Sequence, residues 1–307
     1  MENTSECGGA NMRKKLGIVL LVIIGAVGIY GIYAYAGLRN MMNEIHYETD
    51  TDNLRDEELS LRGQPFSVLL LGIDSDGPSD PGRSDSMMLV TINPNERSTI
   101  IFSIQRDTLV EMVGMGFNDK INHAFAFGGP EMSINSVQNW LDVPVDFFVE
   151  LHQEGFQTLV DAVDGVTIDN DLVAFSFDGY DFPLGELRLT GSSALAFTRM
   201  RKQDPQGDFG RMARQRLVLE GLAHRGLQVG VTRFGPIMEA MGESMRTNFT
   251  LNELIGVATN YHRALDDVIM KDLRGQGTRI NGIWYQVVSE SDRQEASSTL
   301  RSHLELS

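Results

Sequence analysis

Between Leu16 and Leu38 no side chain carries a charge. At the rise of an α-helix this stretch extends about 35 Å, enough to cross a hydrocarbon core of about 30 Å. Arg13, Lys14 and Lys15 precede it, and beyond Arg39 the flank turns acidic from Glu44 to Glu58. The asymmetry of positive charge places the N-terminus in the cytoplasm and the rest of the chain outside. Tyr30, Tyr33 and Tyr35 suit the outer interface. Ala34-Tyr35-Ala36 resembles a small-x-small cleavage site, but the apolar run exceeds the roughly 7–15 residues of a signal-peptide core. The expectation is therefore a cytoplasmic tail (1–15), an uncleaved single-pass helix (16–38) and an extracytoplasmic remainder. ATP is not expected there, so any phosphoryl chemistry needs a substrate that carries its own leaving group.

Charge narrows the classes further. Of 307 residues, 42 are acidic and 26 basic, a formal net charge of −16. A general nucleic-acid binder needs a basic footprint, so that class is set aside. The single cysteine, Cys7, lies before the apolar run. No intramolecular disulfide and no cysteine-rich zinc site can form.

Residues 39–63 read as a polar juxtamembrane spacer, and 64–307 as one domain with no internal linker or repeat. Val68–Leu71 is a short apolar run ending in Gly72, as in a strand buried on both faces. Met87–Ile92 and Ser98–Ile104 read as a hairpin around Asn93-Pro94-Asn95. Asp146–Leu151, Val163–Ile168 and Ile283–Val288 are further strand candidates. Helices are expected over Pro130–Leu141, Thr190–Phe197, Phe209–Leu227, Thr247–Ala264 and Ser291–Leu306, with Thr190 and Thr250 as caps. Interleaved strands and helices predict a layered α/β domain.

Three places carry chemistry. Asp74 follows the first apolar strand, the usual ligand position in an α/β sheet. Asp85 precedes the next strand. Two carboxylates at adjacent strand ends suit one Mg²⁺, which takes few carboxylates and completes its shell with substrate phosphate oxygens. The plain alternative is a pair of turn acids. Between Arg199 and Arg216 stand five arginines, one lysine and two acids, Asp204 and Asp208. Arg199 and Arg201 share a face if extended, and Arg211, Arg214 and Gln215 share one if helical. Guanidinium forks match phosphate oxygens, although a solvated helix face reads the same way. Arg106 ends an apolar strand beside Asp107, where a structural Arg106–Asp107 contact is the alternative. His123 reads more readily as a structural hydrogen-bonder than as a catalyst. The sequence contains no H-E-x-x-H, Walker A or G-x-S-x-G motif.

In order, these segments resemble the LytR-CpsA-Psr family. The matching stretches are Leu69–Asp74, Arg83–Met88, Leu89–Pro94, Ser103–Asp107, Lys120–Ala124, Gly128–Pro130, Gly155-Phe156, Asp164–Val166, Ala194–Arg201 and Asp208–Gln215. The resemblance spans residues 66 to 222 with the spacing kept throughout. It implies an α/β/α sandwich around a mixed β-sheet, with an apolar pocket for a lipid tail. It implies a Mg²⁺-using enzyme, with Mn²⁺ as the alternative ion. The implied reaction moves a glycopolymer, such as teichoic acid or capsule, from a polyprenyl-pyrophosphate carrier onto peptidoglycan. By position, Asp74 and Asp85 would be the metal-side carboxylates. Arg83, Arg106, Arg199, Arg201, Arg211 and Gln215 would line the pyrophosphate. Asp208 would either activate the acceptor hydroxyl or hold the arginines. Among Phe125, Phe127, Phe147, Phe148 and Phe156, most are expected in ordinary core and the rest along the lipid slot.

Two departures stand out. Gln105 occupies a position where the family usually has proline, and Ser75-Asp76 a position where an arginine is common. Two rival functions remain at this stage. Asp74-Ser75-Asp76-Gly77 also resembles the nucleophile motif of haloacid-dehalogenase-type phosphatases, which would make Asp74 a covalent nucleophile. A membrane-anchored regulatory protein that binds a lipid pyrophosphate without turnover would need the arginines but not the carboxylate pair.

Overall fold

The computed structural model describes residues 37, 39, 42–51, 54–55, 59–75, 80–229 and 244–306. The expected membrane helix lies outside them apart from Gly37, as do Cys7 and Asp76. Among the described residues no helix is long and apolar enough to cross a membrane.

The centre is a six-stranded mixed sheet. Its strands are β1 (Phe66–Asp74), β2 (Arg83–Asn93), β3 (Ser98–Ile104), β6 (Phe147–His152), β11 (Met245–Thr247) and β12 (Asp267–Asp272), in the order β11-β6-β1-β2-β3-β12. Strands β1, β2 and β3 form an antiparallel meander, with the turn at Asn93-Pro94-Asn95 where the sequence places it. Strand β6 runs parallel to β1, and β12 parallel to β3. The small ribbons are β4 (Leu109–Met112) with β5 (Phe117–Lys120), β7 (Val166–Asn170) with β10 (Gly185–Leu189), β8 (Phe175–Phe177) with β9 (Tyr180–Phe182), and β13 (Gln276–Ile280) with β14 (Ile283–Val287).

Side chains alternate across a strand, so β1 and β2 divide their residues between two faces. Leu69, Leu71, Ile73, Met87 and Leu89 pack into one core with α1 (His123–Leu141) and α6 (Glu290–His303). The helices α2 (Gln153–Ala162), α3 (Gly191–Arg199) and α4 (Asp208–Val229) form a second core around Phe197, Val160 and Val218. Leu70 and Met88 belong to the face turned toward this second group of helices.

Four expectations need correction. The stretch read as a spacer is packed onto the domain. Met42 and Ile45 are buried in the second core, and Tyr47 meets Phe148 edge-on. Arg55 forms a buried pair with Asp146 at 2.5 Å. Scattered apolar residues, this ion pair and backbone bonds such as Tyr47 N to the Thr247 carbonyl at 2.8 Å hold the stretch, and none of these makes a periodic signal. The helix expected over Pro130–Leu141 is present after non-helical backbone at Gly128 and Gly129, but an unexpected helical segment from His123 precedes it. The helix expected over Thr247–Ala264 is broken: Thr247 ends β11, and Thr250 caps a shorter α5 (Leu251–Asn260) through a capping box with Glu253. The strand expected from Val163 starts at Val166, after Asp164 and Gly165 turn with positive φ.

Candidate active site

The β1–β2 ladder is broken at its end. Gly72 pairs with Ser86 and Ile73 with Ser84, so Asp85 is the extra residue of a β-bulge. Bulges re-aim side chains at sheet ends, commonly beside active sites. Here Arg106 Nη1 donates to Asp85 Oδ2, and Asn122 Nδ2 donates to Asp85 Oδ1 at 2.9 Å. Arg211 Nη2 donates to the Asp85 carbonyl at 3.1 Å. The alternative of an Arg106–Asp107 contact is not realised: Arg106 pairs with Asp85. Asp107 pairs with Lys120 at 2.7 Å instead.

A cavity of about 490 Å³ opens over this sheet end. Asp74, Asp85, Arg106, Arg199, Arg201, Arg211 and Gln215 line its polar part. Leu70, Met88, Val149, Leu151, Phe156, Leu159, Phe177, Leu195, Leu219 and Leu222 line the apolar remainder. Seven sequence-predicted residues thus meet in one place. Arg83 does not join them: it is exposed at the start of β2, opposite Asp74 in register. Asp208 is also outside the lining. It stands at the start of α4, ion-paired with Arg211 at 2.9 Å and Arg201 at 3.5 Å. That placement supports holding the arginines over activating a hydroxyl.

Arg214 departs from the shared face read in the sequence. It is fully buried, donates to the carbonyls of Phe197 and Met200, and pairs with Asp204. These bonds fasten the segment after α3, which carries Arg201. Burial pushes the Arg214 guanidinium below its ordinary value, and Asp204 opposes this. Arg211 is also lowered by burial; Asp208 opposes the shift and Arg106 adds to it. A buried cation among cations gains when an anion arrives.

Of the five phenylalanines, only Phe156 lines the cavity. Phe125, Phe147 and Phe148 are core, and Phe127 is exposed. His123 hydrogen-bonds Asp119 at 2.8 Å, the structural role expected for it. Sequence reasoning missed Gln153, whose amide donates to Asp74, and Ser86, whose hydroxyl donates to Gln215 Oε1 at 3.1 Å. Gln153 carried one usable signal, since it lies two residues beyond the strand candidate Asp146–Leu151.

The donor set suits a hard divalent cation. Asp74 and Asp85 face one cavity, and Asn122 Oδ1 is buried with no hydrogen-bond partner among the described residues. Among those residues no group of three or more His, Cys, Asp or Glu forms a metal cage. Two carboxylates completed by substrate oxygens are the arrangement Mg²⁺ accepts.

The family model described as LytR_cpsA_psr matches residues 32–302. The chain belongs to this family. A curated LytR-CpsA-Psr relative from Halalkalibacterium halodurans, the polyisoprenyl-teichoic acid–peptidoglycan teichoic acid transferase TagU, is 43% identical over 305 residues. That match covers 96% of this chain and all of the relative. The crystal structure of B. subtilis TagU is 40% identical with a TM-score of 0.65, covering 80% of this chain and 98% of that one. The family protein YwtF (TagT), solved with bound octaprenyl pyrophosphate lipid, is 27% identical with a TM-score of 0.67, covering 85% of this chain and 99% of that one. The mixed α/β fold around a mixed sheet is that of the LytR-CpsA-Psr structures. Membership in this family sets aside the haloacid-dehalogenase reading.

Proposed function

We propose that this chain transfers a phosphoglycopolymer, of teichoic-acid type, from a polyprenyl-pyrophosphate carrier to peptidoglycan. One observation carries the reading: a single cavity joins an apolar slot to a polar end holding four arginines and two carboxylates. An amphiphile with a long hydrocarbon tail and a diphosphate head fits both halves. The arginines would neutralise and orient the diphosphate. A hydroxyl oxygen of peptidoglycan attacks the phosphorus that bears the glycan. The bond from that phosphorus to the bridging oxygen breaks, and polyprenyl phosphate leaves with the proton. The pyrophosphate supplies the driving force, so ATP is not needed. What remains for the protein is positioning and charge stabilisation.

Asp74 and Asp85 would hold Mg²⁺, or Mn²⁺ in its place. When bound, the ion would stabilise negative charge on the phosphate oxygens. Asp208 acts by fixing Arg201 and Arg211. The uncharged run at residues 16–38 would anchor the enzyme in the cell membrane, with its catalytic domain outside, beside a carrier that lives in the bilayer. A binder without turnover would have no use for the carboxylate pair.

The test uses the full-length protein, a synthetic polyprenyl-pyrophosphate oligosaccharide, Mg²⁺ and peptidoglycan fragments. Mass spectrometry should find a phosphodiester-linked product, lost on chelation and in Asp85→Ala and Arg106→Ala. Lipid binding without product across several donors and acceptors would favour the binding protein instead.

A further inference from the structure

Donor chemistry accounts for one side of the reaction; the acceptor also needs a place to rest. The β13–β14 ribbon is fastened at two points to residues that adjoin the arginine cluster and its Asp208 partner. Gln286 N donates to the carbonyl of Asp107, the residue after Arg106, at 2.8 Å. Arg274, just before the ribbon, stacks over Phe209 at 4.7 Å, next to Asp208 at the start of α4. The ribbon therefore rises from between two of the elements that carry the arginine cluster.

Its two faces differ. Tyr285 is buried on the inner face; its hydroxyl donates to Asp119 at 3.3 Å and Lys120 lies over its ring. Register puts Arg279 opposite Trp284 and Gly277 opposite Gln286, so these four share the other face. A methyl group built on Gly277 would overlap Cζ2 and Cη2 of Trp284. The indole thus lies against bare glycine backbone on one side, while the residue stays 43% exposed. An exposed indole backed by glycine, flanked by an amide and a guanidinium, suits the apolar face of a sugar ring with its hydroxyls beside polar groups.

We propose that Trp284, seated on Gly277, is the subsite that holds the glycan of the peptidoglycan acceptor. This rests on the transferase reading above. The lipid tail takes the apolar slot, so the acceptor must approach from the polar end, where this ribbon stands. Trp284 is a positioning residue and touches no reacting atom.

The experiment uses full-length protein and stem-peptide-free, uncrosslinked peptidoglycan glycan strands as the probe. In Trp140→Phe, where Trp284 is the remaining indole, saturable quenching of tryptophan fluorescence is expected. Gly277→Val in that background displaces the ring while keeping it, and should weaken glycan binding by about tenfold, a loss of about 1.4 kcal/mol. Trp284→Ala should raise the KM for acceptor by a similar factor with kcat little changed, while Trp284→Phe recovers part of the loss. Binding of the polyprenyl-pyrophosphate donor should be unaltered in all of them. Glycan affinity and acceptor KM indifferent to Trp284 and Gly277 would overturn the subsite even where transfer proceeds. Quenching by phosphatidylglycerol vesicles but not by glycan strands would overturn it in favour of a membrane contact. Wild-type protein that fails to bind donor would defeat the transferase reading instead.

Discussion

The two faces of the β1–β2 pair show how one alternating pattern separates stability from function. Odd-numbered Leu69, Leu71, Ile73, Met87 and Leu89 are closed under α1 and α6. Even-numbered Leu70 and Met88, with Gly72 and Asp74, face a cavity that helices α2 to α4 leave open. Both faces are apolar in sequence. The difference lies in what covers them: one is filled by side chains to crystal-like density, the other leaves room for a hydrocarbon. A face of this kind forgoes packing energy in exchange for a ligand, so substitutions on the two faces should separate cleanly.

The largest effect is expected at the polar end of the open face. Arg106→Ala should lower the transfer rate by roughly 10²–10³-fold, as loss of a charge-stabilising donor does, with little change in melting temperature. Next, Leu69→Ala on the closed face should destabilise by about 3 kcal/mol in urea titration, with activity per folded molecule retained. Leu70→Ala, one residue along, should change stability less and instead raise the KM for the lipid donor. If the two leucines behave alike, the division into faces fails. Thr250→Ala touches neither face and should cost about 1 kcal/mol through its capping box.

The closed face also holds a titratable group. His303 is 3% exposed, between Thr91 Oγ1 at 2.8 Å and Ser98 Oγ at 2.9 Å. Burial lowers it from 6.5, outweighing Glu96 and Glu305, which pull the other way. The unfolded chain then takes up a proton first as pH falls. Stability should be full above pH 6.5 and decline below it, toward the folded-state value. His303→Gln should flatten that slope in melts between pH 7 and 5, while donor affinity in the open face stays as it was.

The apolar runs of β1 to β3 and the turn between β2 and β3 were legible because they are local. So was the capping of α3 and α5 by Thr190 and Thr250. Seven of the nine named site residues line one cavity, because their motifs sit at strand and helix ends that the fold brings together. What stayed hidden depends on distant partners. Arg83 and Arg106 look alike in sequence, and only the sheet end decides which faces inward. Arg214 reads like its neighbours until three acceptors from the α3 end bury it. The packed stretch around Met42, Ile45 and Arg55 has no periodicity, since its partners lie about a hundred or more residues away.

The bulge at Asp85 makes the site depend on chain length as well as on residue type. In an unbroken ladder Asp85 would sit opposite Ile73, and parity with Met87 and Leu89 would assign it to the closed face. One surplus residue lets its carboxylate meet Arg106 and Asn122 while its carbonyl meets Arg211. Deleting Ser84 would leave every charged group encoded yet dismantle their meeting point. Insertions and deletions, more than substitutions, are the changes this strand end has no way to absorb.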